Sequence, residues 1–530
     1  MTSIPLQSLP TSKIIAAYLN QDSGIRNLYD RNPKLENYEI HAREKIENYK
    51  HRETLVEVLQ EQMQSLNLSE KQKLHLEKLA SENAVTITTG HQLNLMSGPL
   101  YFVYKILQTV KTCDELNAKE TDLHFVPIYW MATEDHDWDE VNNFEVNGVK
   151  FQWSGKESNT AVGKRPTEDV ATHIIEFLQQ LPDFTLTPNL QEIIEKSYAA
   201  ESNFTNATKR LVQTLLGEYG ILILDASDAR LKKLFAGVMQ NELIARNAQN
   251  LAEKNNEILQ KFSEQAFIRE INLFYLTENK RERIVYEYTG FSTADGAKQW
   301  SEEEILQELQ NNPERFSPNV ILRPLYQECI LPNVSYIGGG GEIAYWLQLK
   351  PIFENYDISM PILVVRNSLH FITQKDFSKF QKYGIKWHDF FESEDDFIKP
   401  MIEKNTELLT LLDEKYAALK EHFADLRKIA VKTSPVYENM LNAQEQKQLN
   451  GYHKLRKRIY KSEALRMSVE VKSWKDLRDA VLPGGSWQER KQNMLGLYAE
   501  MGDQFFEEVY QAITPFDSQY HVIPLKPNTK

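Results

Sequence analysis

An α/β fold built on a doubly wound parallel sheet, followed by a helical C-terminal part, is the architecture this sequence predicts. Three observations predict it. The run Ala84-Val85-Thr86-Ile87-Thr88-Thr89 is short, β-rich and ends in Gly90. A helix follows from about Pro99 through Tyr104, Ile106, Leu107, Val110 and Leu116, and then Phe125-Val126-Pro127-Ile128-Tyr129-Trp130-Met131-Ala132 reads as a buried strand. Strand, glycine loop, helix and strand make a βαβ unit, the first half of such a sheet. Far downstream, Leu412, Tyr416, Leu419, Phe423, Leu426 and Ala430 alternate spacings of four and three, as coiled coils do.

The elements follow in order. Residues 25–80 are mostly polar with scattered leucines and read as helices packed on the core, with Leu55, Val58, Leu59 and Met63 as one apolar stripe. Ser97 or Gly98 is expected to cap the helix after Gly90, with Pro99 at its first position. A helix near 208–218 leads into the strand Ile221-Leu222-Ile223-Leu224-Asp225. Val320-Ile321-Leu322-Arg323 reads as a strand, 342–349 as a short helix, and Pro361-Ile362-Leu363-Val364-Val365-Arg366 as a strand. Segments near 151–201 and 267–316 interrupt this alternation and read as insertions. The second contains hairpin strands at Ile271-Asn272-Leu273-Phe274-Tyr275 and Arg283-Ile284-Val285-Tyr286. Pro435 is expected to break the coiled-coil pattern. A second long helix then runs over about 436–467, with Tyr452, Leu455 and Ile459 on one side, giving a helical hairpin.

Composition narrows the function. With 41% hydrophobic and 26% charged residues in 530, the chain is globular and large enough for more than one module. A net charge of -14 argues against nonspecific binding to nucleic acid or an anionic membrane. Two cysteines, Cys113 and Cys329, exclude a disulfide framework and a cysteine-rich zinc site, and fit a reducing compartment. No basic start with an apolar stretch opens the sequence and no run is apolar enough to span a bilayer, so a cytoplasmic protein is expected.

Four groups of residues carry candidate chemistry. The loop Thr88-Thr89-Gly90-His91-Gln92 with Ser97-Gly98-Pro99 lies where the first strand hands over to the first helix. Ligands of doubly wound folds bind at that edge, and a helix N-terminus offers free N–H groups to an anion. Gly90 lets backbone approach phosphate or carboxylate, and His91 can donate to developing negative charge. The block Glu134-Asp135-His136-Asp137-Trp138-Asp139-Glu140 follows the next strand and offers a general base or ligands for a divalent cation; a solvated acidic turn is the plainer alternative. In the third group Arg323 clamps a carboxylate or phosphate while Gln327 and Asn333 read a sugar, or else Arg323 simply pairs with Glu328 or Glu342. Asn319, Gly338, Gly339, Glu342 and Tyr345 belong to the same stretch. The basic run His453-Lys454-Leu455-Arg456-Lys457-Arg458 reads more readily as a solvated helix face than as a phosphate contact, and Arg490 is a further candidate anion ligand. No Gly-x-x-x-x-Gly-Lys loop is present, and Ile343 stands where a dinucleotide fingerprint needs its third glycine.

The first loop is similar to the Thr/His-x-Gly-His loop of class I aminoacyl-tRNA synthetases and nucleotidylyltransferases, with Thr88, Gly90 and His91 in the matching places. Taken together, the motifs resemble the BshC family of bacillithiol biosynthesis. The resemblance rests on Thr88-Thr89-Gly90-His91-Gln92, Ser97-Gly98-Pro99-Leu100-Tyr101 and Tyr104-Lys105, on Trp130 through Glu140, on Ser317-Pro318-Asn319 with Leu322-Arg323-Pro324, and on Gly338-Gly339, Glu342-Ile343-Ala344-Tyr345-Trp346 and Leu349-Lys350-Pro351. It implies a Rossmann-like core with two connecting insertions and a coiled-coil domain that forms a homodimer. It also implies a carbon–nitrogen ligase that adds cysteine to glucosaminyl malate; the likeness of the first loop to class I synthetases suggests ATP, with Mg²⁺, for activation, which the residues do not themselves specify. The expected division is an N-terminal helical segment 1–80, a core 81–390, a coiled-coil dimerisation domain 391–515 and a tail 516–530. The expected catalytic residues are His91, Glu134, Asp135, His136 and Asp137. A nucleotidyltransferase using the same loop, or a noncatalytic metabolite-binding dimer, is the competing reading.

Overall fold

The structure, a computed structural model, describes residues 1–155, 160–199, 202–262, 266–287, 290–434 and 436–525. The chain forms two compact units. One holds residues 1–371 and 488–523; the other holds residues 372–487 with Pro524 and Leu525.

In the first unit the chain begins with a short strand, Thr2–Pro5 (β1), and reaches the helix Leu35–Asn48 (α1). The central sheet starts at Ala84–His91 (β2), which leads through Tyr101–Asn117 (α2) to His124–Met131 (β3). The two strands are parallel, with Thr86 opposite Val126 and Thr88 opposite Ile128. Downstream of them lie a hairpin, Asn143–Val146 (β4) and Val149–Gln152 (β5), then Phe204–Leu216 (α3) and Leu222–Asp225 (β6). Ala229–Ala245 (α4) opens a second excursion: an antiparallel sheet of Leu273–Leu276 (β7), Arg281–Glu287 (β8), Gly290–Thr293 (β9), Gln299–Trp300 (β10) and Phe316–Pro318 (β11). Arg323–Ile330 (α5), Asn333–Gly338 (β12), Gly340–Trp346 (α6) and Ile362–Val365 (β13) return the chain to the main sheet.

The strand order β13-β12-β2-β3-β6 is wholly parallel. Chain order therefore reverses between β2 and β12. That topological switch point is where doubly wound sheets leave a crevice outside the strands' carboxyl ends. Both faces of the sheet are covered, so its strands are apolar along nearly their whole length. Val85, Ile87, Phe125, Val334, Ile337, Ile362 and Val364 form one core with Tyr38 and Ala42 of α1 and Cys113 and Leu116 of α2.

Several local expectations are corrected. Val320-Ile321-Leu322 is a turn, not a strand. The Asn319 Oδ1 accepts from Ile321 N (2.8 Å) and Leu322 N (3.3 Å), and Pro324 sits in the first turn of the helix that follows. The helix α2 begins at Tyr101, and neither Ser97 nor Gly98 caps it. Both have positive φ in a tight turn whose Met96 and Gly98 carbonyls accept from the Asn493 amide. At Gly98 an added Cβ would lie 2.7 Å from that of Asn94.

Residues 488–523 pack with the first unit. Gln488 pairs with the Phe371 backbone, Glu489 forms a buried bidentate pair with Arg366, and Gln519–Pro524 (β15) lies between β1 and Ser368–Ile372 (β14) in a small sheet. Short-range periodicity carries no record of such a return.

The second unit is dominated by two long helices, Glu407–Thr433 (α7) and Val436–Arg466 (α8). Pro435, expected to separate them, lies outside the described residues. The stripe Leu412, Tyr416, Leu419, Phe423, Leu426 and Ala430 is half-buried to buried while its flanks are exposed, and Tyr416 meets Tyr452 and His453 of α8. Within the chain this stripe faces α8. On α8 the inward positions are Leu449, Tyr452, Arg456 and Ile459, and Leu455 is exposed. Arg456 in the basic run is neutralised by Asp413 and Glu403. No helix among the described residues is long and apolar enough to cross a membrane.

Candidate active site

A cavity of about 610 Å³ opens at the carboxyl edge of the sheet, across the switch point. Its floor is Gly90-His91-Gln92 from the end of β2 and the stretch from Trp130 to Asp135 at the end of β3. One side is closed by Arg323 of α5, Tyr336 of β12, and Glu342 and Tyr345 of α6. The other is closed by the antiparallel insertion, through Phe274, Arg281, Ser317 and Pro318. Of the segments 88–92 and 134–137, Gly90, His91, Gln92, Glu134 and Asp135 meet there, because β2 and β3 are adjacent and parallel and must end at the same edge.

Arg323 is the most distinctive group. Its guanidinium carbon lies 5.4 Å from the Tyr336 ring centre, 5.7 Å from Trp346 and 6.0 Å from Trp130, an aromatic cage that favours a cation electrostatically. Its hydrogen-bond partners are neutral: the Gln327 Oε1 at 3.1 Å and the Tyr345 hydroxyl at 3.4 Å. Among the described residues no carboxylate lies within ion-pair distance of it, so it pairs with neither Glu328 nor Glu342. Burial opposes its charge, but Tyr345, Tyr336 and Glu342 outweigh that and push its pKa further up. Gly90 lies beside it: an added Cβ there would meet the Tyr336 hydroxyl at 3.3 Å and the Arg323 Nη1 at 3.7 Å.

Gln327 does not read a sugar. Its side chain is buried, and its amide donates to Glu328 (3.0 Å), which turns its oxygen toward Arg323. Glu328 is held in turn by Asn333 (2.7 Å) and by Lys45 of α1 (2.8 Å). Asn333, also buried, accepts from Thr88 at 2.8 Å and Thr86 at 3.2 Å. Thr89 donates to the Ile337 carbonyl. Thr88, Asn333, Glu328 and Gln327 therefore build the polar layer that orients Arg323, whereas Thr89 ties β2 to β12; none of these residues lines the cavity.

Lys105 is buried and donates to the Gly90 carbonyl and to both oxygens of Glu342, which also accepts from the Tyr336 hydroxyl at 2.6 Å and the Gly339 N–H. Burial penalises both charges. Lys105 and Tyr336 nonetheless hold the Glu342 carboxyl below its ordinary value. This pair fixes the Gly90 backbone against α6.

His91 packs against Tyr101 and Phe102, and its Nε2 is closed from solvent with no partner among the described residues. Burial, aided by the Lys105 charge, lowers its pKa to about 3. His91 is thus a neutral imidazole near pH 7, able to exchange a hydrogen bond with a ligand but not to carry positive charge.

In the acidic block, Glu134 Oε2 accepts from Lys232 (2.7 Å) and Ser317 (2.8 Å). Asp135 accepts from Gln92 (2.6 Å) and the His136 N–H (2.7 Å). Burial opposes its charge, yet His136, Gln92 and Arg281 hold its carboxyl well below the usual range. His136 is exposed, and its Nδ1 lies 3.1 Å from an Arg281 nitrogen. Arginine can only donate, so Nδ1 is the acceptor in this contact. Asp137 is exposed and caps the short helix Trp138–Val141. Neither His136 nor Asp137 lines the cavity.

Ser97, Gly98, Tyr104, Gly338, Gly339 and Arg490 also stand outside the lining. Tyr104 is fully buried and Arg490 is exposed. The N-terminus of α2 is not an open anion site, since the Leu100 N–H is given to Gln492 and those of Phe102 and Val103 to the preceding turn. Among the described residues no three His, Cys, Asp or Glu side chains converge as a metal site.

Sequence reasoning missed Lys232, Arg269, Arg281 and the cavity role of Trp130. Lys232 had a legible signal: it falls in register with Phe235, Met239 and Leu243, a charge on an otherwise buried helix face. Arg281 and Arg269 had none, because they reach the cavity only through the pairing of β7 with β8 and β11.

A doubly wound sheet with a polar, cation-bearing crevice at its switch point defines a Rossmann-like protein. Two family descriptions match the chain: "Bacillithiol biosynthesis BshC, N-terminal Rossmann-like domain" over residues 1–367 and "Bacillithiol biosynthesis BshC, C-terminal coiled-coil domain" over 369–525. The chain belongs to the BshC family. Relatives named "Putative cysteine ligase BshC" include one from Flavobacterium johnsoniae, 40% identical over 516 residues and 97% of both chains. Another, from Cytophaga hutchinsonii, is 34% identical over 95% of both. One from Bacillus cytotoxicus is 26% identical over 98% of this chain and 99% of its own.

Proposed function

We propose that this chain is a cytoplasmic carbon–nitrogen ligase that joins the carboxyl of cysteine to the amine of glucosaminyl malate, forming bacillithiol. The observation that carries the reading is Arg323: a caged, oriented guanidinium facing a small-molecule cavity with no carboxylate of its own. A free carboxylate ligand supplies the missing partner, and malate offers two.

A carboxylate is a poor electrophile, so cysteine must first be activated. In this proposal ATP with Mg²⁺ supplies a phosphate-type leaving group. The neutral His91 donates to the charge that builds on it, and Gly90 leaves room for the approach. The Asp135–Gln92–Glu140 cluster and Arg281 hold the insertion's edge against the core strands. Assembly into a homodimer is part of the same proposal. Since the stripe on α7 faces α8, exposed Leu408, Leu411 and Ile429 on α7 and Val436, Met440, Leu455 and Leu465 on α8 are among the apolar surface left for a second chain.

Thiol profiling of cells lacking this protein tests the reading. The expected result is absence of bacillithiol with accumulation of glucosaminyl malate; unchanged bacillithiol sinks it.

A further inference from the structure

We infer that Glu134 is the proton acceptor for the amine that attacks, an assignment that rests on the ligase reading above. Four carboxylates line the cavity: Glu134, Asp135, Glu140 and Glu342. Both oxygens of Glu342 are taken by Lys105 and Tyr336, and both oxygens of Asp135 by Gln92 and the His136 backbone. Glu140 is exposed and shares Gln92. Glu134 differs. Its Oε2 is fixed by Lys232 and Ser317, while its Oε1 is closed from solvent and has no partner among the described residues. Lys232 is itself wholly buried and tied to the Phe316 carbonyl at 2.9 Å, so the carboxylate is held from behind by a rigid donor. A buried acceptor atom without a donor costs stability unless a ligand supplies the donor.

The amine nitrogen forms the C–N bond to the activated acyl carbon, the C–O bond to the phosphate-type leaving group breaks, and that group departs with the electron pair. The nitrogen's extra proton passes to Glu134 Oε1. The Lys232 ammonium stays charged throughout and keeps Glu134 oriented. His91 cannot replace it as a base, since its imidazole holds a proton only near pH 3.

Hydroxylamine separates this role from the rest of the reaction: it is a weaker base than an alkyl amine, so the proton its nitrogen sheds after C–N bond formation passes to water without a positioned carboxylate. Purified protein with cysteine, ATP and Mg²⁺ is given either glucosaminyl malate or hydroxylamine, and the amide and the cysteine hydroxamate are measured. For Glu134→Gln, which keeps the size and an oxygen for Lys232, amide formation is expected to fall by about a hundredfold or more while hydroxamate formation stays within about threefold. Ser317→Ala, a milder change should the first variant fold poorly, is expected to show the same split at about tenfold. An equal fall in both products, or amide formation left unchanged in Glu134→Gln, overturns the assignment. If the unaltered protein yields neither product, the ligase reading fails and this inference with it, an outcome seen before any variant is made.

Discussion

At the residue scale, the site is organised by how each charge is satisfied. Lys105, Lys232, Arg366 and Lys45 each close a buried pair with a carboxylate, whereas Arg323 is surrounded by rings and neutral oxygens. Arg323→Ala is therefore expected to raise KM for the malate-bearing substrate about 10- to 100-fold, the loss of one charged hydrogen-bond pair, with a smaller change in kcat. Gln327→Leu, which touches no ligand, is expected to shift KM in the same direction by about tenfold, because Arg323 loses the oxygen that aims it. Steady-state kinetics on both variants check this; a normal KM in Arg323→Ala removes the anion site. His91 supplies a pH test. Its pKa is about 3 in the fold, against an ordinary value near 6.5 in the unfolded chain. Between those values the unfolded chain binds more protons, so stability rises with pH across the window and is lost as pH falls below about 6.5. His91→Phe is expected to lose less stability than the unaltered protein between pH 7 and pH 5, by on the order of 1–2 kcal/mol. Equal slopes in chemical denaturation at the two pH values would show the ring free to protonate.

At the element scale, the parallel strands were legible because an apolar run ending in glycine and followed by an amphipathic helix has few other solutions. The turn at Val320 was not, because three apolar residues in a row suit a strand as well as a buried turn, and only the Asn319 side chain decides. The helical hairpin was legible in length and spacing but not in partner: heptad spacing shows that a stripe is covered and not by which chain. The structure covers it with α8. Phe423→Ala is accordingly expected to weaken the hairpin itself, by roughly 3–5 kcal/mol, seen as an earlier helical unfolding transition by circular dichroism. Leu411→Asp, on an exposed face, is expected to leave that transition in place and to lower the mass seen by light scattering. A mass unchanged in Leu411→Asp would take the dimer surface away from that face of α7.

At the scale of the whole molecule, the sheet edge at Gly90, His91 and Glu134 could be found from sequence because topology alone sends β2 and β3 to the same side. The far wall could not. Arg281 and Ser317 arrive from an antiparallel insertion whose docking depends on long-range pairing, and residues 488–523 return to the first unit across more than a hundred intervening residues. Those distant pieces matter for function, since Ser317 fixes Glu134 and Asn493 shapes the turn before α2. The proposal places amide formation between cysteine and glucosaminyl malate in one cavity at this switch point. The direct measurement is mass-resolved detection of bacillithiol by the purified protein supplied with cysteine, glucosaminyl malate, ATP and Mg²⁺, alongside Arg323→Ala. The account predicts product with the unaltered protein and a large loss in the variant at limiting glucosaminyl malate. Absence of product from the unaltered, folded protein under all these conditions, or undiminished product from Arg323→Ala, would contradict it.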